Sequence, residues 1–278
     1  MYDQELINKS VNIYTEILET VDSTNEEAKR RVSKGAKEDF VLISKKQTAG
    51  KGRKGREFYS PKDTGIYLTY SHFSELAAED DLKVTVASAV IVKRAIQAAL
   101  GLECGIKWVN DLYYNKKKVC GILCECLLKG TYGNDSNVII VGIGINLSTQ
   151  IFPEDIKDKA GSLMAGWDTN NDDMNSERMS KKQIEYDESL NTDIYDDLAV
   201  GIINGLSCFF ENNELEPYME EYKNSSIVLG NNAELYDAKG PVAKGRVKDF
   251  DSNGALILEN KDGDSLRFDS GEISLIFN

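Results

Sequence analysis

The sequence predicts an α+β fold in which a large mixed domain precedes a small all-β one, and three observations lead there. Helix-period segments are interleaved with strand-like runs such as FVLIS, GIYLTYSHF and VIIVGIGINL. After Ser226 the texture changes to short strands separated by the turn signals AKGP, DSNG, KDGD and DSGE. A chain of 278 residues, 41% of them hydrophobic, can bury a sizeable core and suits one large and one small domain.

The elements follow in order. Residues 14–21 read as extended chain, and Ser23 followed by Glu26 resembles a capping box that opens a helix ending near Gly35. FVLIS is a strand that leads into a glycine- and cation-rich stretch from Thr48 to Arg56, after which GIYLTYSHF resumes strand character. Residues 82–100 form the clearest helix: Leu82, Val86, Ala89, Val90, Lys93 and Ile96 recur at helical intervals, and Gly101 is its stop. Strands come next around Lys107, over residues 119–128 and in VIIVGIGINL. Residues 168–197 are polar and acidic without a sustained apolar period, which predicts a surface insertion. Helices over residues 198–212 and 217–223 lead to a domain boundary near Ser225. Five short strands in the last fifty or so residues suggest a small barrel that closes its own edges.

Charge and composition remove several functional classes. A net charge of -13 argues against a dedicated nucleic-acid or anionic-membrane binder, since both partners repel an acidic surface. No stretch approaches the roughly 20 apolar residues of a membrane span, and the first residues lack the basic-then-apolar order of a signal peptide, so a cytoplasmic location is expected. Five cysteines fit reduced thiols better than a disulfide framework. Cys120, Cys124 and Cys126 share one strand parity among apolar neighbours, which favours core thiols over a zinc site. The single histidine, His72, has no catalytic partner identifiable in sequence and reads as structural.

One segment carries chemistry. SKKQTAGKGRKGR holds Lys45, Lys46, Lys51, Arg53, Lys54 and Arg56 and no acid, a composition built to meet an anion. Its glycines let backbone N–H groups approach a ligand, and arginine adds a planar fork that grips carboxylate or phosphate at two points. A solvated turn or a nucleic-acid patch has the same composition, and the glycine spacing matches neither common nucleotide-binding pattern. Ser23 can cap its helix with or without touching a ligand, and Asn110 and Asp111 can order a turn or meet a metal or substrate.

The motifs VDSTNEEA, QTAGKGRKGREFYSP, IKWVNDLYYNKKKVCGILCE and VGIGINL, with a terminal GEISL, occur in an order and spacing that resemble the biotin protein ligase family over nearly the whole chain. The resemblance implies a catalytic domain over residues 1–225, with a mixed or antiparallel central sheet flanked by helices, related to class II aminoacyl-tRNA synthetases and lipoate ligases. It implies an SH3-like β-barrel over residues 226–278. The implied activity uses ATP with Mg2+ to convert biotin to biotinyl-5′-AMP, then biotinylates a lysine of a carboxylase's biotin carboxyl carrier domain. Lys107 and Arg53 would be catalytic. Ser23, Thr24, Asn25, Gln47, Lys51, Gly52, Arg53, Lys107, Gly121 and Gly142 would bind biotin, and Arg56, Gly144, Asn146 and Ser162 the nucleotide, with no metal-ligating residue assigned. Three positions depart from the usual family text: Val109 replaces a proline, Lys51 an arginine and Phe58 a tryptophan. Only about twenty residues precede VDSTN, too few for the helix-turn-helix domain of the repressor members, so no specific DNA binding is expected. A lipoate ligase on the same fold is the nearest rival, and a homodimer is compatible with the sequence.

Overall fold

The computed structural model describes residues 2–74, 81–133, 135–165, 190–237 and 239–276. A seven-stranded sheet is formed by β1 (Tyr14–Leu18), β2 (Phe40–Ser44), β3 (Gly65–Ser74), β4 (Gly105–Lys107), β5 (Asp111–Tyr114), β6 (Lys117–Leu127) and β7 (Asn137–Asn146). Its order is β1-β2-β3-β7-β6-β5-β4. The β1 and β2 strands are parallel and all other neighbours antiparallel, so the sheet is mixed. A second, five-stranded antiparallel sheet holds β8 (Asn232–Asp237), β9 (Gly240–Phe250), β10 (Leu256–Glu259), β11 (Ser265–Phe268) and β12 (Glu272–Leu275).

The helices are α1 (Gln4–Ser10), α2 (Thr24–Ser33), α3 (Asp81–Leu100), α4 (Leu190–Asn212) and α5 (Glu216–Ser225). The α3 helix contains neither glycine nor proline and stops at Gly101, whose φ of 67° is unstrained only without a Cβ. Pro217 opens α5, where a missing N–H costs no intrahelical bond. Among the described residues, no helix is long and apolar enough to cross a membrane.

Alternation along β7 sets the layers. Ile139, Val141, Ile143 and Ile145 belong to the main core together with residues of α3 and α4. On the opposite parity, Val138 and Ile140 join a second cluster with Ala28 and Val32 of α2 and Phe40 and Leu42 of β2. Each of these Val, Leu, Ile and Phe side chains, once fully buried, contributes about 1.5–3 kcal/mol. The next two positions of that parity are Gly142 and Gly144, so the apolar layer beneath α2 ends there and the strand offers no side chain of its own.

Three expectations need correction. Helix α1 has no counterpart in the sequence reading, because Ile7 is its one buried residue and a single apolar position sets no period. Asp3 caps it, accepting from the N–H groups of Glu5 and Leu6. Residues 168–189 of the expected insertion lie outside the described residues, but α4 already begins at Leu190 rather than Leu198. Its acidic start is deceptive: Asp196 is buried and accepts the Asp3 backbone N–H at 3.1 Å, so this acid is a packing partner. Finally, Ser23 occupies the N-cap position of α2, yet its hydroxyl makes no capping bond.

Candidate active site

The glycine patch of the sheet belongs to a row of paired residues. Register aligns Tyr67 of β3 with Gly144, Gly144 with Gly121, Gly121 with Asp111, and Asp111 with Lys107. Residues paired across antiparallel strands point to one face, so Lys107 and Asp111 project on the same side as the two glycines. A parallel row, two residues along, aligns Thr69 with Gly142 and Gly142 with Leu123. The glycines make a floor, with an ion-bearing wall at Lys107 and Asp111. Lys118, absent from the sequence expectations, joins that wall with Nζ 2.6 Å from Asp111 Oδ1. Burial lowers the Lys107 pKa, Asp111 opposes that, and the Lys118 charge adds to the lowering. Its ammonium is therefore held without full charge compensation, the state in which an anionic ligand gains most.

The α2 N-terminus forms the other wall. Thr24 gives both its backbone N–H (2.8 Å) and its hydroxyl (3.1 Å) to Gln47 Oε1. Gln47 thus does the capping expected of Ser23, and its Nε2 donates to Ser60 Oγ at 2.8 Å. Asn25 is buried against the floor: a Cβ on Gly142 would stand 2.2 Å from its Oδ1. Ser23, Thr24, Asn25 and Gln47 are brought together, and the Gln47 oxygen is occupied locally.

The cationic loop covers this floor. A Cβ on Gly144 would meet the Phe58 ring at 2.5 Å, and one on Gly121 would meet it at 3.4 Å, so Phe58 lies over both glycines. Gly50 is equally required, since a Cβ there would lie 2.4 Å from the Phe58 carbonyl. Arg53, in a short 3-10 turn with Gly52 before it, donates to Asn110 Oδ1 at 3.2 Å; Asn110 in turn donates to the Ile122 carbonyl at 2.8 Å. Arg53 is thereby aimed at the sheet. Lys51 is exposed, and Arg56 is two-thirds exposed and pairs with Glu272 of β12 at 2.5 Å. Arg56 is thus tied to the second sheet at the rim of the loop. With Lys51, Lys54 and Arg56 exposed, trypsin is expected to cut between residues 51 and 56 of the free protein. Biotin with ATP and magnesium is expected to suppress that cleavage, because ligand anions bind the cations and hold the segment. Identical digestion patterns would remove this loop from the site.

Beyond the floor, the Ala160–Met164 segment runs beside β6 and β7. Gly161 donates to the Lys118 carbonyl at 2.9 Å, and Leu163 to the Asn146 carbonyl at 3.0 Å. Asn146 Nδ2 reaches the Gly161 carbonyl at 3.1 Å, while its Oδ1 is buried with no partner among the described residues. That orphaned acceptor suits a ligand donor. Ser162 is buried and gives its hydroxyl to the Thr149 carbonyl at 2.6 Å, so its side chain shapes the segment and only its backbone is left for a nucleotide.

Other features belong elsewhere. His72 stacks on Phe210 with ring centroids 4.1 Å apart and bonds Asp39 at 2.6 Å, far in register from the glycine floor. Cys120 is buried, Cys124 and Cys126 half-buried, and all three share the parity that faces α3. An open groove of about 820 Å³ lies between α3 and α5, but its charges pair with one another, Lys93 with Glu221 (3.1 Å) and Glu103 (3.2 Å), Arg94 with Glu221 (2.8 Å). Sequence reasoning missed Lys118, Thr69 and Glu125. Thr69 pairs with Gly142, and Glu125, opposite Ile140, shares its face, so strand parity is their only signal; Lys118 reaches Gly121 only through a register shift between β5 and β6, which parity does not reveal.

Residues 17–146, which span the large sheet from β1 to the end of β7, match the biotin/lipoate A/B protein ligase family, and residues 234–276 match the biotin protein ligase C-terminal domain. The chain carries domains of the biotin protein ligase family. A bifunctional ligase/repressor BirA of Bacillus spizizenii is 34% identical over 147 residues, 52% of this chain but 44% of that protein. The Escherichia coli BirA is 28% identical over 93% of this chain and 73% of its own length. The chain thus spans under half of the Bacillus relative in the matched region. In structure, the Aquifex aeolicus biotin protein ligase solved with biotin and ATP superposes with a TM-score of 0.70 at 25% identity, covering 95% of this chain and 99% of that one. The C-terminal match favours the biotin side of the shared biotin/lipoate family.

Proposed function

We propose that this chain is a biotin protein ligase that forms biotinyl-5′-AMP from biotin and ATP and transfers the biotinyl group to a lysine of a carboxylase's biotin carboxyl carrier domain. The observation that carries this reading is the glycine floor of Gly121, Gly142 and Gly144, closed by a buried polar wall at one end and by Lys107 at the other. Such a floor lets a flat ring and its tail lie on the sheet with the carboxylate towards the cations. Residues 1–225 form the catalytic unit in this reading and residues 226–278 the smaller one. The five free cysteines suit a reducing compartment such as the cytoplasm.

The mechanism follows from placement. Ser23, Thr24, Asn25 and Gln47 surround the ureido ring. Lys51, Gly52 and Arg53 fold over the tail and carboxylate, and Lys107 meets the carboxylate where it approaches the α-phosphate. No enzyme nucleophile is needed, because the carboxylate itself attacks phosphorus and pyrophosphate leaves. The protein supplies alignment and fixed positive charge in a site with little water, the two effects that lower such a barrier most. Arg56, Gly144, Asn146 and Ser162 line the nucleotide end, where Asn146 Oδ1 fits the exocyclic amine of adenine. Among the described residues no cluster of three metal-ligating side chains exists. Magnesium would accompany the ATP phosphates and neutralise part of their charge, with Asp111 as a protein carboxylate able to join them. The carrier lysine then attacks the acyl carbonyl, and AMP departs.

Incubation with ATP, magnesium and radiolabelled biotin or lipoate, followed by chromatography, tests the reading: biotinyl-AMP is expected, and lipoyl-AMP alone would replace it with the lipoate alternative. In the same assay Arg53→Ala is expected to shorten the half-life of bound biotinyl-AMP at least tenfold, about the loss of one charge-assisted contact. An unchanged half-life would remove Arg53 from the lid.

A further inference from the structure

Asn25 is 3% exposed, and its amide orientation is chemically forced. Nδ2 faces Glu125 Oε2 at 2.9 Å and the Leu123 carbonyl at 3.4 Å, neither of which has a proton to give. The amide oxygen must then face the other way, where it accepts from Thr69 Oγ1 at 2.7 Å and lies against Gly142 on the floor. One bond uses one of its two lone pairs. Glu125 is itself fixed, since Oε1 takes a bond from Lys29 Nζ at 2.7 Å and Lys29 also reaches Glu26 at 2.9 Å. Burial works against the Lys29 charge, but the bonds to Glu125 and Glu26 outweigh it and leave its pKa raised. The carboxylate therefore has a permanent cation behind it and a primary amide in front.

We propose that Glu125 is a positioning residue that locks Asn25 as a hydrogen-bond acceptor towards the ligand, and so selects an acid whose ring carries N–H groups. The inference rests on the biotin reading above and adds a specificity determinant to it. Biotin's ureido nitrogens donate, whereas the dithiolane of lipoate and the end of a fatty acid do not. A buried acceptor left without a donor is the strongest means a pocket has of rejecting such an analogue.

The test uses the full chain with Glu125→Gln, which keeps the shape but leaves one acceptor oxygen for two donors. Lys29, being charged, takes it, and the introduced amide nitrogen then faces Asn25 and turns its amide over. The KM for biotin is expected to rise about tenfold or more, as for one lost bond to a charged group, with the KM for ATP and the saturated kcat near wild type. Inhibition by octanoate, which has no N–H, is expected to change by less than about twofold, because uniform damage to the pocket is what would move it. Adding Lys29→Met to Glu125→Gln frees the introduced amide oxygen for Asn25, and the biotin KM is expected to recover most of the loss. A merely structural role would make the double variant worse than the single one. The proposal is overturned if Glu125→Gln leaves the biotin KM unchanged, if the biotin and ATP KM values rise together with a fall in Tm, or if Lys29→Met deepens the defect. Failure of the wild-type chain to make biotinyl-AMP would instead overturn the biotin reading itself.

Discussion

Replacing Lys107 by alanine is expected to slow biotinyl-AMP formation by roughly 10²–10³, or about 2.7–4 kcal/mol, the cost of removing one preorganised charge-stabilising group. Binding of biotin alone is expected to weaken far less, because the ammonium gains most from charge that develops between carboxylate and phosphate. Equal losses in both would make Lys107 a uniform binding residue. Its pKa gives a second test. Burial and, after it, the neighbouring Lys118 lower that value against the pull of Asp111. The protonated form is the useful one, so kcat/KM is expected to fall, as pH rises, earlier than an ordinary lysine near about 10.4 would dictate. Arginine at 107 cannot lose its proton in that range and is expected to retain some activity while the alkaline limb moves upward. A limb unmoved in Lys107→Arg would assign the titration to another group.

Alanine at Gly142 is expected to damage both fold and site. Its Cβ would stand 2.2 Å from Asn25 Oδ1 and 2.8 Å from the amide carbon and nitrogen. Asn25 cannot yield easily, since it is buried and bonded to Thr69 and Glu125. Overpacking of this kind costs about 1–3 kcal/mol, and displacement of Asn25 adds the loss of its bonds. A fall in Tm by several degrees and a biotin KM raised well above any change for ATP are expected, read by calorimetry and initial rates. Gly144→Ala is the informative contrast. It strikes the Phe58 ring, borne by a largely exposed loop that can swing away, so Tm is expected to hold better there. Wild-type Tm and biotin KM in Gly142→Ala would show that Asn25 does not lie on the strand.

Much of the site is legible in the amino-acid sequence, because its chemistry is carried by short segments. The loop from Thr48 to Arg56 shows its anion-seeking character by composition alone. Helix α3 can be read from period and a terminal glycine, and β7 from an apolar run broken by two glycines. The failures are equally physical. Ser23 has every sequence mark of a cap, yet Gln47, far along the chain, takes the bond from Thr24. Arg56 pairs with Glu272 of the second sheet, a contact its own loop does not announce. The acids near the start of α4 suggest a solvated run, while Asp196 is buried against the amide of Asp3.

The sequence by itself determined the α+β class, most of the elements from β1 onward, the change of texture near Ser225, and the residue types proposed to meet biotin and ATP, because period, turn chemistry and charge are properties of neighbours along the chain. Only the tertiary structure decided which of those residues share a face. Lys107, Asp111, Gly121 and Gly144 form one row through the register of four strands, and register is fixed by burying one face of each strand, a condition no single segment contains. The same holds for Glu125: its parity opposite Ile140 places it under α2, and nothing in CGILCECL announces that Asn25 and Lys29 wait there.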